Sequence, residues 1–294
     1  MSSDNFKGWE NVDGSKVSRE ETESAFNAVM QKARQIESAY ISKKMKDKAL
    51  WLKKIAVAAA AVAVLVLSPL AAYYIINSPV DMNEYTAARG EIREIILPDG
   101  SAVVLNSGST LTYPEKFGRK RTVTLSGEAL FTVTASKKHP FIVSTDEICV
   151  TAHGTVFNVS DYPDELTASA TLCSGVVSVS KSGDENREVT LTPDQSLTME
   201  KSTGSMTVRK TDAQEASAWK DGNLRMRSLP LEQALKIVER KFDVDIHLTT
   251  DKYNDAVLTA KFINDEGLVE LMDALCKLVP GMQYTIEDKN IYIR

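Results

Sequence analysis

The sequence predicts a multidomain single-pass membrane protein: a short N-terminal α segment, one transmembrane helix, an all-β domain and a small C-terminal α+β domain. Three observations predict it. Residues 55–76, IAVAAAAVAVLVLSPLAAYYII, run without a single charge. Residues 85–210 alternate apolar and polar positions in short runs separated by turn residues. From about Trp219 helical and strand periodicities take turns. The expected divisions are 1–54, 55–76, 77–210 and 211–294.

Residues 1–16 are rich in Gly, Asn, Asp and Ser and are expected to be loose. Ser18 and Glu21 in SREE then form a capping box, in which each side chain bonds the other residue's backbone N–H. It opens an amphipathic helix over 18–40, with Ala25, Phe26, Val29, Ala33, Ile36 and Tyr40 on one face. A helix alone in water cannot hide such a stripe. It is either a linker continuous with the apolar helix or a surface that docks on a partner.

A helix needs about 20 apolar residues to cross the hydrocarbon, and only Ser68 and Pro69 interrupt residues 55–76. Trp51 and the pair Tyr73-Tyr74 fall where amphipathic rings prefer the two interfaces. The long polar stretch before the span is unlike the n-region of a signal peptide, so the span reads as an uncleaved anchor. Lys43, Lys44, Lys46, Lys48, Lys53 and Lys54 crowd its N-terminal side, whereas residues 77–88 hold Asp81 and Glu84 and no basic residue. Lysine accumulates on the cytoplasmic side, so the N-terminus is expected inside the cell and residues 77–294 outside. The lysines either meet anionic headgroups of the bilayer or are simply solvated. Pro69 removes one backbone bond and loosens the preceding turn. That makes it either a weak point for an intramembrane protease or a tolerated proline.

In the β region, Ile95 and Leu97 alternate before Pro98-Asp99-Gly100-Ser101, and Val103 and Leu105 after it. Pro presets φ, Asp bonds its own backbone and Gly takes positive φ, so Asp99 and Ser101 read as turn chemistry. RTVTLSGEALFTV places Val123, Leu125, Gly127, Ala129, Phe131 and Val133 on one face and Thr122, Thr124, Ser126, Glu128 and Thr132 on the other. Further strands are expected at 141–143, 148–152, 156–159, 168–172, 176–179 and 189–191. The arrangement is a sandwich, roll or solenoid. Gly154-Thr155 marks a bulge or a close backbone approach and opens no helix, which excludes a phosphate loop. TGSMTVRKTDAQEAS, residues 203–217, reads as a linker. Beyond it the order β-α-β-β-α-β-β predicts a small sheet with two helices on one face.

Composition excludes several function classes. Residues 1–54 carry 11 Lys and Arg against 8 Asp and Glu, and the remainder 24 against 32, with no basic stripe for direct nucleic-acid binding. Three Cys and three His are scattered without zinc-ligand spacing, so neither a metal nor another cofactor is expected. Ser101, Asp99 and His139 do not make a nucleophile–base–orienter set, so no enzyme is expected. Cys149 and Cys173 fall on expected neighbouring strands of one hairpin in an oxidising compartment, as either a disulfide or two separate thiols. Cys276 reads as core.

GEIREIILPDGSAVVLNSGSTLTYP, RTVTLSGEALFTV, HPFIV, HGTVFNV, SGVVSV and LTPDQS, in this order, resemble the FecR family of transmembrane anti-sigma regulators, the Bacteroidetes branch most. WKDGNLRMRSLPLEQALKIVERKFDVDI resembles the C-terminal domain of those proteins, itself similar to the short N-terminal domain of secretins and TonB-dependent receptors. The resemblance implies an inner-membrane protein whose periplasmic part senses the extension of a TonB-dependent outer-membrane transporter. Its cytoplasmic part would hold an extracytoplasmic-function sigma factor, released on substrate import, commonly through stepwise proteolysis by periplasmic and intramembrane proteases. Contact with the sigma factor then falls to Phe26, Val29, Ala33 and Ile36. Two features depart from the family pattern. The segment before the anchor has one convincing helix where several are usual, and His153 stands where an aliphatic residue is usual. The competing function is a membrane-anchored periplasmic binding or scaffold module without sigma-factor control.

Overall fold

The computed structural model describes residues 18–76, 81–263 and 266–294. It divides into two compact units, residues 1–79 and 80–294, each described here by itself. The expected loose residues 1–16 lie outside the described residues.

In the first unit the expected amphipathic and apolar helices are one. Helix α1 runs unbroken over Arg19–Ile76, with Pro69 inside it. At ~1.5 Å per residue it is about 87 Å long. Residues 41–54, ISKKMKDKALWLKK, contain no Gly or Pro and are mostly good helix formers, so nothing stops the helix between its two halves. Its start is the expected capping box. Ser18 N–H donates to Glu21 Oε2 at 3.1 Å, and Glu21 N–H donates to Ser18 Oγ at 3.3 Å. Side chains from Arg19 through Tyr73 are exposed along the whole length.

The second unit opens with thirteen strands: β1 Met82–Ala87, β2 Arg93–Ile96, β3 Ala102–Leu105, β4 Ser109–Pro114, β5 Arg121–Thr132, β6 Phe141–Ser144 and β7 Ile148–Ala152 come first. They are followed by β8 Val156–Asp161, β9 Thr167–Ser174, β10 Val177–Lys181, β11 Asp184–Leu191, β12 Gln195–Glu200 and β13 Ser205–Lys210. One sheet runs β1-β4-β5-β6-β7-β10-β11 and the other β2-β3-β5-β8-β9-β12-β13, so the long strand β5 belongs to both. Residues Arg121–Ser126 of β5 pair with β4 and β6, and Gly127–Thr132 with β3 and β8. The switch falls at Gly127. Its φ is +107°, and a Cβ there would lie 2.8 Å from Ser109 Cα, so only glycine fits the corner. Inward positions of both halves fill one core, in which Phe131 stacks on Phe157 at 5.2 Å and meets Phe141 at 6.0 Å. Gly154 is a close approach as well: a Cβ there would lie 2.7 Å from Ala135 Cα.

The expected linker 203–217 is structured. Ser205–Lys210 is the edge strand β13, and Ala213–Ala216 is a short helix, α2, followed by a 3-10 turn at Ala218–Asp221. The C-terminal part follows the expected order: β14 Leu224–Pro230, α3 Leu231–Phe242, β15 Asp245–Leu248, β16 Val257–Phe262, α4 Leu268–Leu278, β17 Tyr284–Glu287 and β18 Asn290–Ile293. Among the described residues it forms two sheets rather than the expected one: β14 pairs with β16, while β18 lies between a parallel β15 and an antiparallel β17. Both sheets and both helices share a second core, which includes Met226, Leu231, Val238, Leu271, Leu275 and Ile293.

Candidate functional site

The Asp99–Ser101 pair is a structural knot. Ser101 Oγ donates to Asp99 Oδ2 at 2.7 Å and accepts Thr134 N–H at 3.1 Å, while Arg121 Nη1 reaches Asp99 Oδ2 at 2.7 Å. Ser101 and Arg121 are buried, so the ion pair closes the turn against the sheet and the hydroxyl is committed to Asp99 and Thr134. His139 faces elsewhere, with Nδ1 3.1 Å from Arg119 O. Among the described residues no group of three His, Cys, Asp or Glu could hold a metal ion.

The cysteines of the expected hairpin are not on paired strands. β7 pairs with β6 and β10, and β9 pairs with β8 and β12. Cys149 alternates with buried Ile148 and Val150, and Cys173 follows buried Leu172, so each points away from the common core on a different sheet. A disulfide needs Cβ atoms about 3.5–4.5 Å apart and directed at each other. The two form none, and Cys173 Sγ donates instead to Ala213 O at 3.7 Å. Cys276 is half-buried at the rim of the second core rather than inside it.

The structure places Phe26, Val29, Ala33 and Ile36 on α1, with Phe26 63%, Val29 66% and Ile36 65% exposed. They recur at spacings of three and four, one stripe of a helix. Lys43, Lys44, Lys46, Lys48, Lys53 and Lys54 follow on the same helix before the charge-free stretch.

The β domain and the C-terminal part meet along a polar seam that the sequence did not announce. Its centre is Arg240 on α3, whose guanidinium lies 3.8 Å from the Tyr162 ring centroid, bonds Asp164 Oδ1 at 3.1 Å and pairs with Glu165. Gln233, two turns earlier, accepts Leu166 N–H at 3.3 Å. Arg89, after β1, bonds Asp245 Oδ1 at 2.9 Å and Val244 O, and Gly90 N–H donates to Arg240 O at 2.8 Å. A second set of bonds lies beside these. Trp219 Nε1 donates to Asn158 Oδ1 at 3.2 Å, Asn158 Nδ2 donates to Glu128 Oε1 at 2.8 Å, and Asn106 Nδ2 donates to Glu128 Oε2 at 2.7 Å. Burial pushes the Glu128 carboxyl up to about 7, and the two amide bonds only partly oppose it. A cleft of about 1070 Å³ opens over this set, between the outer face of β5, β8 and β9 and the segment 211–225. Glu128 and Asn158 occupy outward strand positions, which a sequence presents as ordinary solvated polar residues. The Glu128 position among threonines and serines was the one visible signal.

The edges of the three-stranded sheet differ. Beside β15, Arg89 holds Val244 O and Glu239 Oε1 accepts Ile246 N–H at 2.7 Å, so side chains cover that edge. Gln283 and Arg294 exchange both backbone bonds, at 3.2 and 2.9 Å. By antiparallel alternation Tyr284 and Ile286 then turn their backbone groups outward on β17. That edge is open.

Against known proteins, residues 83–178 match the family model described as FecR protein, and residues 223–293 match FecR, C-terminal. Two crystal structures, both described as a candidate anti-sigma factor from Parabacteroides distasonis ATCC 8503, are each 27% identical to this chain with a TM-score of 0.68. Each match covers 72% of this chain and 98% of the solved one. No curated protein matches. An N-terminal apolar helix, a curled β domain and a small α+β region thus define the architecture. The chain belongs to the FecR family.

Proposed function

We propose that this chain is a non-enzymatic, transmembrane anti-sigma factor. α1 crosses the inner membrane once through residues 55–76, with residues 1–54 in the cytoplasm and residues 77–294 in the periplasm. The observation that carries the reading is α1 itself: an exposed apolar stripe and an exposed charge-free span on one helix, joined in sequence to the FecR domains. The stripe at Phe26, Val29, Ala33 and Ile36 would hold an extracytoplasmic-function sigma factor, because burying it needs a partner of matching apolar surface. Affinity purification of the full chain from its native cells tests this: recovery of a sigma subunit that is lost when residues 18–40 are deleted is the expected result. Recovery without any sigma subunit would leave only an anchored periplasmic binding module. Alkaline phosphatase fused after Arg294 and inactive would overturn the orientation.

On the periplasmic side the partner would be the periplasmic extension of a TonB-dependent outer-membrane transporter. An extended segment of it would add to the open β17 edge, where Tyr284 and Ile286 offer backbone groups. Calorimetric titration of the full chain in detergent against that extension is expected to show saturable heat that Ile286→Pro abolishes; no heat rejects this partner. Release of the sigma factor would use periplasmic and intramembrane proteases, with Pro69 as the loosened turn. Unchanged processing of Pro69→Leu in cells removes that role from the proline.

A further inference from the structure

We propose that the seam between the β domain and the C-terminal part is a latch that opens as a unit, held by Arg240, Arg89 and the Trp219–Asn158–Glu128 relay. This goes beyond the anti-sigma reading and needs no partner for its test.

Four observations carry it. The first is that the two apolar cores do not merge, since each is a closed set of its own residues. The bonds that join the parts at Arg240, Arg89, Gln233 and Trp219 are polar or charge-assisted, and polar interfaces within a chain are the ones expected to move. The second is convergence. The anchors of the C-terminal part lie on α3 and the residues after it: Gln233, Arg240, Val244 and Asp245. Opening therefore breaks this patch and the relay beside it, and leaves the two apolar cores intact. The third is the cleft of about 1070 Å³, which already separates the two parts over Glu128. The fourth is the relay itself: at its far end segment 211–225 reaches the floor of that cleft through the Trp219 indole N–H, while at its near end Thr211 and Ala213 stay bonded to Asp194 and Cys173 of the β domain.

Protons bias the latch. Glu128 faces Asn106 from the β3–β4 turn, Asn158 and Tyr162 from β8 and its end, Glu165 from the loop before β9, and Arg240 from α3; Lys241, Glu215 and Arg225 line the cleft above. With the latch closed, burial holds the carboxyl near 7, and opening admits water and returns it toward the ordinary carboxylate range. A raised carboxyl in the closed state means that closure binds a proton more tightly than opening does. Closure is therefore strongest at acid pH and weakens as pH rises toward and through 7. Each unit of difference between the two states is a tenfold change in the closed-to-open ratio. Salt acts in the same direction as alkali, by screening Arg240 and Arg89.

The chain is suited to the test, because its tryptophans are Trp9, Trp51 and Trp219. In full-length protein in nanodiscs carrying Trp9→Phe and Trp51→Phe, emission reports Trp219 alone. In a urea titration Trp219 is expected to red-shift before the far-UV β signal is lost. That first step should move to lower urea by roughly tenfold in its equilibrium constant between pH 6 and pH 8. Glu128→Gln should remove the pH dependence while keeping two steps, and Arg240→Gln should open the latch in buffer without changing the far-UV spectrum. A lock supplies the control that no destabilised variant can mimic. A Cβ at Gly90 would lie 3.5 Å from Asp243 Cβ, within disulfide range, and because Gly90 sits at φ +80° the reduced double variant is the reference for the strain a side chain adds there. Gly90→Cys with Asp243→Cys, the native cysteines changed to Ser, should abolish the first step when oxidised and restore it when reduced. Coincident Trp219 and far-UV transitions in the unlocked protein, or the same pH profile in Glu128→Gln, would overturn the latch.

Discussion

Helix α1 and the β domain treat the same kind of side chain in opposite ways. Phe131 is fully buried between Phe141 and Phe157, whereas Phe26 is 63% exposed on a helix that buries none of the side chains described along it. An apolar residue in the β domain stabilises this chain's own fold by leaving water. On α1 the same gain is still to be made; in the function proposed above it comes from lipid over residues 55–76 and from another protein over the stripe. Stability measurements thus read the β domain, and binding measurements read the helix.

The comparison breaks most sharply at Phe131. Phe131→Ala leaves a cavity between Phe141 and Phe157 and is expected to cost about 3–5 kcal/mol. Loss of the far-UV β signal in a urea titration measures it. A cost under about 1 kcal/mol would mean that the two sheets do not share one close-packed core.

Gly127→Ala probes the corner instead of the core. It forces an L residue to φ +107° and pushes a methyl group against the Ser109 backbone. Strained backbone and overpacking together should cost roughly 2–4 kcal/mol. Gly118 has open space around its missing Cβ and no positive φ, so Gly118→Ala is the matched control and should be near neutral. Equal effects at the two positions would remove the corner from the account of the fold.

On the helix the expected signs reverse. Phe26→Ala and Ile36→Ala lie on fully exposed stretches and should leave unfolding within about 0.5 kcal/mol of the parent. Each should weaken capture of the sigma factor by about 2 kcal/mol, roughly 30-fold, as buried anchors of an interface do. Ser38→Ala, off the stripe, should do neither. Titration of the partner onto full-length protein in detergent separates these outcomes, and unchanged affinity in both stripe variants would place the sigma-binding surface elsewhere.

What the sequence showed and what it hid follow from the same contrast. Alternation fixed most strands because one face of each is dry, as at Val123, Leu125, Val143 and Val150. β13 escaped because its side chains are mostly exposed on both faces, so SMTVRK carries little alternation to read. Gly127 looked like one more inward position because the period of two continues through the sheet switch. The two cysteines look like hairpin partners in the sequence because strand order need not follow sequence order: β7 lies beside β10 and β9 beside β12. The seam was illegible for another reason: Trp219 meets Asn158 across 61 residues, and Arg240 meets Asp164 across 76. No local pattern encodes such pairs.

The smallest expected effect sharpens the helix side of the comparison. Ser18→Ala removes the oxygen that accepts Glu21 N–H and leaves only the reciprocal bond from the backbone N–H of residue 18 to Glu21 Oε2. Loss of an N-cap costs about 1 kcal/mol, or fivefold in local opening. In a helix of 58 residues this cannot melt the element. It frays the first turn, so amide exchange at Glu21 and Thr22 should speed up about fivefold with the far-UV spectrum unchanged. The stripe begins only one turn later, at Phe26. If a partner docks on a helix that is already formed, Ser18→Ala leaves its affinity unaltered; if docking itself orders the first turns, affinity falls by the same fivefold factor as exchange rises.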